Sequence, residues 1–211
     1  EDIQDGLRDG VAGVGALGVV SIATAVSFED AFAGVVKTTE GLTSSIGVLN
    51  TAGQELRQGF VDLTKEIPLT FEELAKIGEL GSQLGVPKQA LLDFTETVAA
   101  LGVTTNLTTE DAATGLARIS NIFAISEDNM AGNVVHLGST IVDLGNKFAT
   151  TESEILNFGL RIAGAGRIAG LTQADVLSIG AAMSSVGIEA EAGGTAVQKV
   201  LLSMNNAVNG A

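Results

Sequence analysis

Apolar residues recur at intervals of three and four along most of this chain, and that spacing leaves few alternatives to an α-helical fold. Leu91, Phe94, Val98 and Leu101 show the pattern, and similar series follow one another from residue 74 to residue 204. None of these segments alternates with a period of two, the pattern that a half-buried strand requires. The sequence therefore predicts an all-α chain without strands.

The helix starts are marked by a hydroxyl residue followed by acidic residues. Thr70 with Glu73, and Thr151 with Glu154, fit the capping box, in which each side chain accepts a hydrogen bond from a backbone N–H of the other residue. Three further N-caps are predicted at Thr108, Ser126 and Thr172. First-turn acids also stabilise the positive end of the helix dipole, so these carboxylates need no other function.

The helix stops are marked by glycine followed by an apolar residue, which is typical of the Schellman motif. Gly85, Gly102, Gly170 and Gly187 fit this pattern. The expected fold is a bundle of seven or eight short, glycine-terminated helices over residues 50–208, preceded by one or two longer Gly/Ala-rich helices within residues 10–47. We divide the chain into an acidic lead with a hydrophobic helix (1–27), a long helical part (28–66) and a compact helical core (67–211).

Residues 10–28 contain no charge and are rich in small and aliphatic side chains. The stretch is borderline in length for a membrane span, and its flanks are acidic where an anchor is usually basic. Three interpretations stay open: a helix packed against sister helices, a membrane-active segment, and a flexible connector. The residues chosen for membrane insertion or self-association are Gly10, Gly13, Val14, Leu17, Val20 and Phe28.

Charge and composition argue against several classes of function. The chain has 25 acidic and 11 basic residues, a net charge of −14, and no basic run to hold nucleic acid. It has no cysteine and a single histidine, His136, so neither a multi-histidine nor a Cys/His metal site can be assembled. We expect no enzyme activity, no cofactor, no metal and no specific nucleic-acid partner.

Residues 28–37 read Phe-Glu-Asp-Ala-Phe-Ala-Gly-Val-Val-Lys, and residues 187–196 read Gly-Ile-Glu-Ala-Glu-Ala-Gly-Gly-Thr-Ala. Both stretches resemble the conserved core of phage tail tape measure proteins. Residues 28–37 are similar to the opening helix of that core, and residues 187–202 to its ending. The motif residues in the second stretch are Gly187, Ile188, Glu191, Ala192, Gly193, Gly194, Thr195 and Ala196. The pair Gly193-Gly194 stands where a single glycine is common, which leaves the local turn undetermined. The likeness spans residues 28–204.

The resemblance implies a structural virion protein that sets tail length, scaffolds assembly of the tail tube and leaves ahead of the DNA during genome ejection. It implies a homo-oligomer, a trimer, in contact with tail tube, distal tail and tail tip proteins and with tail assembly chaperones. The implied locations are the tail lumen or tip, the host cytoplasm during assembly, and the host envelope after ejection. Two alternatives remain: a membrane-acting helical module (pore or anchor) that aids genome delivery through residues 10–28 and contacts the host membrane, and an unrelated helical adaptor.

Overall fold

The computed structural model describes residues 28–45 and 47–209, and this part of the chain is all-α, as predicted. It contains nine α-helices and one 3₁₀ turn, without a strand. The helices are α1 (28–38), α2 (Thr51–Glu66), α3 (Phe71–Gln83), α4 (Leu91–Thr104), α5 (Thr109–Ile122), α6 (Glu127–Lys147), α7 (Glu152–Ile168), α8 (Gln173–Ser185) and α9 (Ala190–Asn209). The 3₁₀ turn, Lys88–Ala90, leads directly into α4.

The first three helices are joined by a cluster of phenylalanine rings. The rings of Phe28 and Phe71 meet edge to face with their centroids 4.7 Å apart, and those of Phe32 and Phe60 meet in the same way with their centroids 5.8 Å apart. Phe32, Phe60 and Phe71 are almost fully buried. Edge-to-face pairs add about 0.5–1.5 kcal/mol beyond the apolar area that they bury. These contacts fix α1 against α2 and α3.

The main core extends from this cluster through α3, α4, α5 and α6 to the inner faces of α7 and α8. Phe94, Leu116, Ile141 and Ile155 lie in it with no accessible surface. A second, smaller cluster forms around Phe158 of α7, and Val197 of α9 packs on its edge. Helix α9 packs chiefly on α7 and touches α8 only slightly. The last helix is therefore attached to the bundle mainly through α7.

Close contacts between helices depend on glycines that leave room for large side chains. A Cβ added to Gly78 would lie 2.5 Å from Cζ of Phe60, and one added to Gly115 would lie 2.5 Å from Cδ2 of Leu156. Atoms at that distance overlap, so these glycines are required by the packing of α3 on α2 and of α5 on α7.

A loop, described at residues 39–45 and 47–50, separates α1 from α2 where helix was expected to continue to residue 47. It closes with an isolated bridge between Thr43 and Leu49. Asn50 organises it: its side-chain amide donates to the carbonyl of Gly41 at 3.0 Å, and its Oδ1 accepts from the N–H of Gly53 to cap α2. One asparagine thus closes the loop and starts the next helix.

The division of the chain into three parts stays a prediction. Residues 1–27 lie outside the described residues. The main core contains Phe60 and Leu63 from one side of the expected boundary at residue 66, and Phe71 and Leu74 from the other. In the part that the structure describes, both sides thus contribute to one continuous core.

Candidate functional site

Both predicted capping boxes are present, and the predicted N-cap Thr172 forms a third, so capping boxes hold the starts of three helices. In the first, the N–H of Thr70 donates to Oε2 of Glu73 at 2.8 Å, and the N–H of Glu73 donates to Oγ1 of Thr70 at 3.2 Å. The same reciprocal bonds join Thr151 with Glu154 and Thr172 with Asp175. We call Glu73, Glu154 and Asp175 the capping-box acids.

The remaining two predicted N-caps have different outcomes. Thr108 caps α5, because its Oγ1 accepts from the N–H of Asp111 at 3.0 Å. Ser126 occupies the N-cap position of α6, but its hydroxyl accepts no backbone N–H of that helix. The Ser126 hydroxyl instead accepts from Nδ2 of Asn129 at 2.9 Å. Ser126 is thus the N-cap residue, as predicted, but without the side-chain bond to a backbone N–H that usually accompanies that position.

The hydrogen bonds of the capping boxes also set the acidity of their carboxyl groups. The pKa of Glu73 is lowered by the backbone N–H of Thr70 and by the Thr70 hydroxyl. The pKa of Glu154 is lowered in the same way by Thr151, with a further bond from Thr150. For Asp175 the Thr172 hydroxyl is the main cause of the lowered pKa. These shifts are those of structural caps, because each stabilises a carboxylate on the protein surface.

Three of the four predicted glycine stops are confirmed. Gly85, Gly170 and Gly187 have positive φ angles of 87°, 81° and 78°. Each is followed by a residue whose N–H bonds back to the last turn, as in the bond from Val86 to the Gly81 carbonyl at 3.0 Å. Both features define the Schellman motif.

The fourth stop, at Gly102, is wrong. Helix α4 runs through it to Thr104 and ends at Thr105, whose backbone is extended. A Cβ on Gly102 would lie 2.5 Å from Cγ2 of Thr109, so this glycine provides space for the start of α5 and does not end a helix. Helices α2 and α6 also end at extended residues, Ile67 and Phe148. Glycine termination is therefore less general than expected.

One Schellman motif was missed because its left-handed residue is alanine. Ala124 has a φ of 52°, and the N–H of Ile125 donates to the Ser120 carbonyl at 3.2 Å. It is the only non-glycine residue with positive φ in the part of the chain that the structure describes. The signal available in the sequence was the apolar Ile125 after the helix, but no glycine preceded it.

The family motif folds as one turn and the first half of α9. Gly187 forms the turn and Ile188 follows it, while Gly193 and Gly194 lie inside the helix, both buried against α7. Gly193 faces the ring of Phe158, and Gly194 faces the aliphatic part of Arg161. The doubled glycine therefore makes no turn.

Glu191, Ala192, Thr195 and Ala196 face outward or lie at the edge of this contact. The guanidinium of Arg161 reaches a carboxylate oxygen of Glu191 at 4.0 Å, and both side chains are largely exposed. Gln198 donates from Nε2 to the Arg161 carbonyl. The motif thus attaches α9 to α7 through small residues and a few polar bonds.

Beyond the motif, α9 presents an uncharged apolar face to solvent. Val200, Met204 and Val208 recur every fourth residue and are 56%, 61% and 79% exposed. No charged residue follows Lys199 in α9, in a chain with a net charge of −14. We call these three residues the α9 face. Exposed apolar surfaces of this kind mark sites of association.

The described residues offer little for catalysis or metal binding. No group of three or more His, Asp or Glu side chains among them could hold a metal ion. His136 lies exposed on α6. A shallow groove of about 410 Å³ runs between α4 and α6, with Glu96 and Asp143 among its lining residues. Neither feature brings a nucleophile and a base together.

The membrane question concerns residues that the structure does not describe. Within the described ranges, no helix has the length and hydropathy that crossing a bilayer requires. The candidates Gly10, Gly13, Val14, Leu17 and Val20 lie outside the described residues. Phe28 is half-buried against Phe71, so its ring contributes to the core of the bundle.

Comparison with known proteins identifies the family. A family model described as phage-related minor tail protein matches residues 57–211, well over half of the chain. The match starts inside α2 and includes α3 to α9. No curated protein and no solved structure matches the chain significantly. The chain therefore belongs to the family of phage-related minor tail proteins.

Proposed function

We propose that this phage tail protein is the tail tape measure: it sets tail length, scaffolds assembly of the tail tube and leaves ahead of the DNA during ejection. The family match over residues 57–211 carries the proposal. The all-α fold supports it, because a helical chain rises by a fixed ~1.5 Å per residue and can act as a ruler. The resemblance of residues 28–37 and 187–202 to the tape measure core supports it further.

The charge of the chain suits a protein that shares a tube with DNA. A net charge of −14 gives the surface no affinity for phosphates, so DNA can follow the protein without adhering to it. The proposed role is structural and requires no catalytic group, cofactor or metal. Its partners would be tail tube, distal tail and tail tip proteins, and the chaperones of tail assembly.

Self-association forms part of the same proposal. The α9 face is apolar and uncharged, so copies of the chain can bring it together without the repulsion that their acidic surfaces would otherwise cause. A residue at every fourth position lies along one side of a helix, as an interface between helices requires. We propose a trimer formed through this face.

The length of the tail tests the ruler directly. In the phage that encodes the chain, inserting 60 helical residues into the parent protein outside this bundle should lengthen tails by roughly 90 Å, at ~1.5 Å per residue. Electron microscopy of purified virions measures the change. A matched control inserts the same residues into a surface loop of another tail protein. If virions contain the insertion variant and their tails have unchanged length, the tape measure role is refuted.

Sedimentation of the purified chain tests the trimer. Replacing Met204 and Val208 by glutamate should convert it to monomer, because three added pairs of charges would be forced together at the interface. The control double variant Val135→Glu, Val103→Glu places the same two charges on exposed apolar residues of α6 and α4. A parent chain that stays monomeric at high concentration, or a trimer unaffected by the α9 substitutions, would rule out this interface.

The membrane-acting alternative is tested with lipid vesicles. Dye leakage caused by the full chain should disappear on deletion of residues 10–27 if that segment inserts. The tape measure proposal predicts the intact bundle after that deletion, because the four-phenylalanine cluster starts at Phe28.

A further inference from the structure

The groove between α4 and α6, with a volume of about 410 Å³, is lined mostly by small and apolar side chains. Leu101 and Gly138 are buried at its floor, and Val135 on its wall is 44% exposed. A Cβ added to Gly138 would lie 2.5 Å from Cγ2 of Thr97, so the glycine allows the two helices to approach closely. The volume falls within the range of ligand sites, roughly 300–1,000 Å³. We call this feature the α4–α6 groove.

Two of the three hydroxyl groups that line the groove donate within their own helices. Thr104 donates to the carbonyl of Ala100 at 2.7 Å, and Ser139 donates to the carbonyl of Val135 at 2.9 Å. Bonds of this kind, to the carbonyl four residues earlier, satisfy the hydroxyl donor locally. The space between the helices therefore suits an apolar surface, and removing that surface and Val135 from water would favour binding.

The two helices that form the groove run in the same direction. Lys88, just before α4, and Glu127, at the start of α6, line one shared depression. At the other end, the N–H of Ser153 donates to Oδ1 of Asn106 at 3.1 Å. Asn106 lies just after α4, and Ser153 lies at the start of α7, which follows α6 after a short turn. The starts of α4 and α6 are thus neighbours, and so are their ends.

One carboxylate lies toward each end of the groove, and no cation is among its described lining residues. Glu96 precedes Thr97 in α4, and Asp143 follows Gly138 in α6 by five residues. Because Thr97 and Gly138 are in contact, the two acids are separated by roughly 9 Å along the helix axes. Among the described residues, Glu96 has no ion pair, and Asp143 pairs only with the exposed Lys147 at 3.3 Å. An exposed pair of this kind contributes little and is easily exchanged.

We propose that the α4–α6 groove binds one basic amphipathic helix of a partner protein. The apolar side of that helix packs into the groove, and two Lys or Arg side chains about two turns apart meet Glu96 and Asp143. Residues i and i+7 lie on one side of a helix and are ~10.5 Å apart along its axis. Flexible Lys and Arg side chains span the small difference from the separation of the two acids. The inference does not rest on the tape measure role.

A second copy of this chain does not offer such a helix. In the part of the chain that the structure describes, no helix carries a net positive charge: Lys and Arg balance Asp and Glu in α7 and α9, and acids are in excess in the others. Two copies with a net charge of −14 each would also repel one another. A basic helix is attracted to the same surface, and this attraction favours its encounter with the groove.

Labelled helical peptides test the groove in fluorescence anisotropy with the full chain. The probe has Leu and Ala along one side and Lys at positions i and i+7 beside them. One control peptide replaces the two Lys by Glu, and another replaces the Leu by Gln. We expect the probe to bind roughly tenfold more tightly than either control. Equal binding of the probe and the Glu peptide, or no binding of the probe up to ~1 mM, would overturn the proposal.

Charge reversal in the chain locates the binding site. The double variant Glu96→Lys, Asp143→Lys should bind the probe roughly tenfold more weakly, and the Glu peptide more tightly, than the parent chain does. Its control, Glu55→Lys, Glu189→Lys, changes the net charge equally at exposed positions outside the groove. At about 0.15 M salt, distant charges are screened, so the control should change the affinity less than about twofold.

Circular dichroism confirms that both double variants are folded. Equal effects of the two double variants would show that the net charge alone attracts the probe, and would overturn the proposal. Sedimentation of the same variants examines self-association. Weaker self-association of the Glu96→Lys, Asp143→Lys variant than of the parent chain would show that a second copy occupies the groove, and would also overturn the proposal.

A blocking group tests the apolar part of the groove. The chain has no native cysteine, so Ala100→Cys can carry a bulky maleimide adduct in the groove. The matched control, Ala182→Cys, carries the same adduct at an exposed position of α8 that does not line the groove. Only the adduct at residue 100 should abolish binding of the probe. Probe binding that is unchanged by this adduct would overturn the proposal.

Discussion

Replacing Ala124 by glycine should stabilise the protein, although the substitution removes a methyl group. Ala124 holds a left-handed backbone, φ 52°, after the end of α5. An L-residue loses roughly 1–2 kcal/mol in that conformation because its Cβ approaches the backbone. Glycine avoids this cost, but it makes the unfolded chain more flexible, which lowers the free energy of unfolding by about 0.4–1 kcal/mol. The Ala124 side chain is exposed, so little packing is lost. The net expected gain is about 0.5–1 kcal/mol.

Two substitutions serve as controls for this argument. Gly170→Ala places an alanine in the left-handed backbone conformation at φ 81°, where an added Cβ meets no atom within 4 Å. It should destabilise the protein by about as much as Ala124→Gly stabilises it. Gly132→Ala lies within α6 at an equally open position without positive φ, and should stabilise by about 0.5–1 kcal/mol. The same exchange of glycine and alanine thus has opposite effects at sites that differ in backbone conformation.

Urea unfolding followed by circular dichroism at 222 nm measures these changes, since the chain has no tryptophan or tyrosine to report by fluorescence. In a chain of 211 residues, the expected gain for Ala124→Gly corresponds to an increase in Tm of about 1–4 °C. A loss of stability in Ala124→Gly, or no loss in Gly170→Ala, would refute the assignment of strain to the left-handed backbone.

Three further predictions concern the caps and the core. Thr70→Ala should lower the free energy of unfolding by about 1 kcal/mol, and Ser126→Ala by clearly less. The reason is that the Thr70 hydroxyl accepts a backbone N–H of its helix and the Ser126 hydroxyl does not. Equal losses in urea unfolding would contradict this. Gly78→Ala should be less stable than Gly132→Ala by about 1–3 kcal/mol, because its Cβ would overlap Phe60; equal stabilities would show that the ring can move. The pKa of each capping-box acid is lower in the folded than in the unfolded chain. Their contribution to the free energy of unfolding is therefore fully present above pH ~5 and is lost as the pH falls through about 4 and below. Replacing all three acids by their amides should therefore reduce the loss of stability that urea titrations measure between pH 6 and pH 3. A variant that loses as much stability as the parent chain over this pH range would contradict the prediction.

The sequence was most informative where a local rule acts alone. A capping box needs only two residues three positions apart, so Thr70 with Glu73 and Thr151 with Glu154 could be identified without knowledge of the fold. Glycine stops were predictable where no neighbouring helix approaches, as at Gly170, whose surroundings are open.

The errors arose where tertiary contacts decide. Gly102 has the local pattern of a stop, but Thr109 at the start of α5 occupies the space that a Cβ would need, and the helix continues past it. Asn50 gave no periodic signal. Its side chain bonds to the carbonyls of Gly41 and Thr43 in the preceding loop, and to the N–H of Gly53 in the helix that follows. The α9 face could not be separated from a core face by periodicity alone, since both show the same spacing.

Glycine has two opposite roles at the described stops and helix contacts of this chain, which has 27 glycines in all. At the stops, glycine provides a backbone conformation and no contact. Inside helices, at Gly78 and Gly115, it provides a cavity of fixed shape for Phe60 or Leu156, which adds rigidity although the local helix propensity falls. At such contacts the two helices approach closely, because the glycine leaves room for the large side chain of its neighbour. Apolar side chains also lie on exposed surfaces such as the α9 face.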